Sequence, residues 1–136
     1  MRDELSRFAL DSNAIIHAFQ GKGRVGARLV SVPPSQIAIP AIVLYELERG
    51  AMKSQNEARR RQQLNELVAV CRLLIFDERA ARIAASIQVQ LERDRMQIGP
   101  LDTMIAATAM AHGAVLVTNN TREFGRIPGL MVEDWL

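Results

Sequence analysis

Three carboxylates stand where a purely structural role explains each of them only in isolation. They are Asp11 in "RFALDSN", Glu46 in "AIVLYELERGA" and Asp102 in "IGPLDTMIAATAMAHG". A pair of amides, Asn119 and Asn120, follows the apolar run "AVLVT". Asp11 or Ser12 can cap a following helix. Glu46 can pair with Arg49 three residues on, although Ile42, Val43, Leu44, Tyr45 and Leu47 leave little polar face around it. Asp102, just inside a helix opened by Pro100, complements the helix dipole. "TNNT" is ordinary turn chemistry. Taken together these explanations weaken, because acids gathered without a lysine repel one another unless a cation neutralises them.

The donor types select that cation. No His or Cys belongs to the set, which disfavours zinc. Carboxylate and amide oxygens suit Mg²⁺, with Mn²⁺ as a substitute, and magnesium takes one or two direct carboxylates while keeping several waters. Such a water can act as nucleophile while the ion stabilises charge on a phosphoryl oxygen. The chemistry indicated is phosphodiester hydrolysis.

Convergence of these residues depends on the elements that carry them. "RFALD" (7–11) reads as a buried strand running into a helix that lasts to the "GKG" break, and a second short helix covers 24–31. "IAIP" (37–40) reads as a strand, with Pro40 in the first turn of the helix bearing Glu46. "SQNE" (54–57) reads as a capping box opening a longer helix with Leu64, Leu67, Val68 and Cys71 on its inner face. "RLLIF" (72–76) is a third strand, and Asp77 caps a helix with the stripe Ile83, Ile87 and Leu91. A helix over 101–112, ended by Gly113, feeds a fourth strand at 114–118, and "LMVED" (130–134) is a candidate fifth. Short apolar strands alternating with helices predict an α/β fold, a three-layer α/β/α sandwich around a parallel sheet of four to five strands. In such a sheet ligands bind beyond the carboxyl ends of the strands. Asp11, Glu46, Asp102 and the 118–120 segment all fall at that rim.

Composition narrows the class. A chain of 136 residues with 49% hydrophobic and 24% charged residues suits one globular domain, taken as 1–136. The formal charge of +2 does not mark a nucleic-acid binder by itself. All but two of the 17 basic residues, Lys22 and Lys53, are Arg. That bias fits contacts to phosphate or to an acidic partner, and equally a GC-rich coding sequence. A lone cysteine excludes a disulfide framework. With neither a signal peptide nor a long apolar span, the expectation is a soluble, cytoplasmic protein without membrane contact. Arg59, Arg60 and Arg61 read as a solvated helix face. His17 and His112 read as helix-surface residues and Tyr45 as packed, while Trp135 anchors the C-terminus. Arg122 has two readings, a phosphate contact or a structural ion pair.

The segments "FALDSNAII", "IPAIVLYELERGA", "IGPLDTMIAATA" and "LVTNNTREFGRIPGLMVEDW" occur in the order that resembles the PIN-domain ribonucleases, specifically the VapC-type toxins of toxin–antitoxin pairs. The resemblance implies that Asp11 and Asp102 are metal ligands and that Glu46 completes the acidic cluster. Many members carry an Asp in the segment that reads "VTNN" here. The fourth polar position therefore falls to Asn119, Asn120 or Glu123, of which Asn120 is taken as the catalytic candidate, and one tightly bound Mg²⁺ is expected, with a second engaged only in the presence of substrate.

The resemblance further implies an endoribonuclease that cuts RNA, with tRNA the preferred substrate class, a VapB-type antitoxin partner and a homodimer. Two rivals belong to other classes. A response-regulator receiver also gathers acids and Mg²⁺ at strand ends, but it adds a lysine after a late strand, and neither Lys22 nor Lys53 is so placed. A PIN domain without activity, serving as an RNA- or protein-binding module, is the second.

Overall fold

The computed structural model describes residues 7–136, so the first six residues of the expected domain lie outside the described residues. Among the described residues five strands form one parallel sheet: β1 (Phe8–Leu10), β2 (Ile37–Pro40), β3 (Arg72–Leu74), β4 (Val115–Val117) and β5 (Val132–Glu133). Their order is β3-β2-β1-β4-β5. The helices are α1 (Ser12–Phe19), α2 (Val25–Ser31), α3 (Ala41–Met52), α4 (Glu57–Val70), α5 (Glu78–Arg93), α6 (Pro100–Ala111) and α7 (Thr121–Phe124). This is the expected α/β/α layering, and the candidate fifth strand joins the sheet in parallel with β4.

The strands are short, and the central ones are almost wholly apolar because both faces of the sheet are covered. Ala9, Leu10, Ala38, Leu116 and Val117 are fully buried. From β1 the chain winds outward through β2 to β3, then returns to the other side of β1 to lay down β4 and β5. The order thus reverses between β1 and β4, and the carboxyl ends of those two strands frame a crevice.

α6 explains its own composition. Ala106, Ala107 and Ala109 are fully buried, and their small side chains let neighbouring elements approach closely. The buried hydroxyl of Thr108 is satisfied within the helix, donating to the Met104 carbonyl at 2.7 Å. Gly113 follows in the left-handed region at φ 65°, the conformation that stops the helix at low steric cost.

Three local expectations change. Pro40 closes β2 and caps α3 from an extended conformation, instead of lying inside the first turn. α4 is capped by Asn56, whose side-chain oxygen accepts from the Arg59 amide; Ser54 accepts from the Asn56 amide, one step short of a capping box. Val68 is exposed, and Leu64 carries the burial of α4. Trp135 does anchor the C-terminus. Its ring packs at 5.2 Å from that of Phe8, and the Arg28 guanidinium lies 4.8 Å above it.

Candidate active site

Asp11 leaves β1 with its amide still bonded to the Val117 carbonyl, so its position is locked by the β1–β4 pairing. Its side chain is 3% exposed. One carboxylate oxygen accepts from the Ser12 amide and the other from the Thr118 hydroxyl, both at 2.8 Å. Asp11 therefore caps α1 and also ties it to the residue that follows β4. Burial raises its pKa, and hydrogen bonds from Thr118 and Ser12 offset part of that effect. The same Thr118 oxygen accepts from the Asn120 amide, tying the turn after β4 to Asp11.

Glu46 is carried to this rim on the second turn of α3. It forms no ion pair with Arg49 among the described residues. Its Oε1 is buried without a hydrogen-bond partner there. Burial and then the charge of Asp11 raise its pKa, against the effect of the Ser12 hydroxyl.

Asp102 lies in the first turn of α6, where Gly99 occupies the cap position without a side-chain cap. Its pKa is pushed up to about 6, first by burial and then by the charges of Asp11, Glu46 and Glu123. A carboxylate serving only as dipole partner would be favoured in its charged form. This one is disfavoured by three other acids.

The structure thus brings Asp11, Glu46 and Asp102 within electrostatic reach of one another, and it adds Glu123. Asn120 turns its amide to Glu123, donating from Nδ2 to Oε1 at 2.6 Å. Sequence reasoning reached Glu123 only as a substitute for the amides. The signal is its place three residues after Asn120, on a turn that the "TNNT" motif opens.

The donor set fits a hard divalent cation. All its atoms are oxygen, one is an orphaned buried carboxylate oxygen, and Asp11, Glu46 and Asp102 each hold their charge reluctantly. Among the described residues no three His, Cys, Asp or Glu side chains already form a closed metal-holding group. Direct ligation by one or two carboxylates, completed by water, is the mode that suits such spacing.

The other marked residues fall outside this cluster. His112 caps α6, its Nε2 lying 3.1 Å from the Ile75 carbonyl oxygen, and both histidines are half-buried instead of lying on the open surface. Tyr45 does not pack: it is 54% exposed. Of the arginine run, Arg59 is solvated, whereas Arg60 lies over the Phe19 ring at 5.7 Å and Arg61 pairs with Glu48. Arg122 is exposed and in no ion pair among the described residues.

The family profile described as PIN domain matches residues 8–130. The chain belongs to the PIN domain family. It is 36% identical over 129 residues to a protein of Shigella flexneri named tRNA(fMet)-specific endonuclease VapC, an alignment spanning 95% of this chain and 98% of that one. Among solved structures, DNA-bound VapBC from Salmonella typhimurium superposes with a TM-score of 0.88 at 35% identity, over 96% of this PIN domain chain and 99% of the other. VapBC2 of Rickettsia felis bound to a promoter DNA fragment gives 0.87 at 30% identity, over 95% and 98%.

Proposed function

We propose that this chain is a single PIN domain acting in the cytoplasm as a divalent-metal-dependent endoribonuclease, the toxin of a VapBC-type pair. The observation that carries the reading is Asp102, an acid held near three others with its pKa about 6. Such a group gains most from a bound cation. The names of the relatives support RNA, and specifically tRNA, as substrate, and the solved VapBC complexes support an antitoxin of VapB type as partner. A homodimer belongs to the same reading. No helix among the described residues is long and apolar enough to cross a membrane.

Asp11 and Asp102 would hold the ion, with Glu46 and Glu123 adding charge around it. Mg²⁺, when bound, supplies a water of lowered pKa and a charge opposite the phosphoryl oxygens. Thr118 and the Ser12 amide fix the Asp11 carboxylate, taking one lone pair of each oxygen and leaving the others for the ion. Asn120 restrains Glu123, the acid that the "VTNN" segment itself lacks. Because Glu123 supplies that charge, the inactive binding-module alternative loses its main support.

The test is cleavage of purified tRNA by the purified chain, with RNA ends mapped by sequencing. Cleavage should require Mg²⁺ or Mn²⁺ and fall about 100-fold or more in Asp102→Asn, as on removal of a preorganised charge-stabilising group. Equal cleavage by a folded Asp102→Asn variant would refute the assignment.

A further inference from the structure

Beside the acids lies a cavity of about 390 Å³, lined by Ser12, Ile16, Tyr45, Glu46, Arg49 and Leu101, among others. Glu46 belongs to the acidic site and Ser12 bonds to it, so the cavity adjoins the acids. Ile16 and Leu101 make one side apolar. Tyr45 stands exposed on the outer face of α3. Arg49 follows four residues later on that same face, exposed and in no ion pair among the described residues. An aromatic ring and a cation are thus held together at the edge of a site whose acids repel anions.

We propose that this cavity is a nucleotide subsite for the RNA residue next to the scissile phosphate. The base enters against Ile16 and Leu101 with the Tyr45 ring as its stacking face, and Arg49 contacts the adjoining phosphate. The proposal rests on the ribonuclease reading above. The volume is near the lower end for ligand pockets, the size for one nucleotide and not for a folded element. Single-stranded RNA is recognised by stacking unpaired bases on aromatic rings while cations follow the backbone. The lining supplies both chemistries once each. It also resolves a difficulty of the acidic rim: without a nearby cation, nothing at that edge would draw in the substrate's phosphate before metal compensates the charge.

Binding is measured by fluorescence anisotropy of a short single-stranded RNA oligonucleotide on the Asp102→Asn chain, which does not depend on cleavage. Tyr45→Ala should weaken binding about 5- to 150-fold, the effect of losing one base stack. Tyr45→Phe, which keeps the ring, should stay within about twofold. Arg49→Ala should lower the slope of log affinity against log salt by about one. In the cleavage-competent chain the Tyr45→Ala loss should fall mainly on KM. Both positions are exposed, so melting temperatures serve as the folding control.

RNA binding and cleavage unchanged in Tyr45→Ala and Arg49→Ala would overturn the proposal. So would unchanged RNA binding accompanied by lost binding of an antitoxin segment or by a changed oligomeric state, since the cavity would then be a protein interface. Absence of oligonucleotide binding with Tyr45 intact would also overturn it, whereas the ribonuclease reading is judged separately by tRNA cleavage in the parent chain.

Discussion

At the scale of single residues, Asp102 shows how a carboxylate changes meaning with its neighbours. Its type and its place in a first turn support dipole pairing, whereas its pKa of about 6 records burial and repulsion. The folded value lies above the ordinary 3.8, so the charged form destabilises the fold. That destabilisation is absent below about pH 4, grows as pH rises through 6, and is complete above it. The metal-free protein should therefore gain stability on going from pH 7 to pH 5, by about 1 kcal/mol after allowance for solvent screening of a half-buried group. Asp102→Asn should flatten that profile. Adding Mg²⁺ at pH 7 should raise the parent's melting temperature and leave the variant's nearly unchanged. Thermal melts with chelator and with Mg²⁺ decide the matter, and parallel pH profiles in the two proteins would return Asp102 to the role of helix-dipole partner.

At the scale of elements, local pattern carried most of the fold. The strands now seen at 37–40 and 115–117 were legible as short apolar runs covered on both faces, and the stripe Ile83, Ile87 and Leu91 as apolar residues at helical spacing. The misread positions depended on contacts that no local window contains. Val68 has helical spacing suitable for a core, but it stays 40% exposed. Tyr45 sits in an apolar run, yet α3 turns it outward beside Arg49, where a neighbouring pocket is lined by exposed Met52 and Lys53. Glu123 was only half legible, because its bond to Asn120 needs the turn after β4 to be folded. The start of α4 offers a direct check. Asn56 is the cap and Glu57 is solvated, so Asn56→Ala should lower stability by about 1 kcal/mol. Glu57→Gln should change it by less than about 0.5 kcal/mol. Chemical denaturation of the two variants measures both, and the reverse order would restore the Ser54–Glu57 capping box.

For the whole molecule, the topology turns scattered acids into one site. Asp11 arrives on β1, Glu46 on the helix after β2, Asp102 on a helix feeding β4, and Glu123 on the turn beyond it. The strand order reverses between β1 and β4, and there Asp11 and Thr118, which follow those two strands, are joined by a hydrogen bond. No two of these segments are adjacent in the chain, so the site exists only in the folded protein. A substitution that keeps the fold and removes the charge therefore separates function from stability in the cell. Asp11→Asn meets that requirement. Its side-chain oxygen can still accept from the Ser12 amide, and its new amide can donate to the Thr118 oxygen. Expressed without an antitoxin, the parent chain should arrest bacterial growth and Asp11→Asn should relieve the arrest, at equal protein levels and with an unchanged circular dichroism spectrum. Co-expression of the antitoxin should rescue growth with the parent. A folded Asp11→Asn chain that arrests growth as strongly as the parent would remove Asp11 from the catalytic centre and leave it the caps and bonds that the fold alone requires.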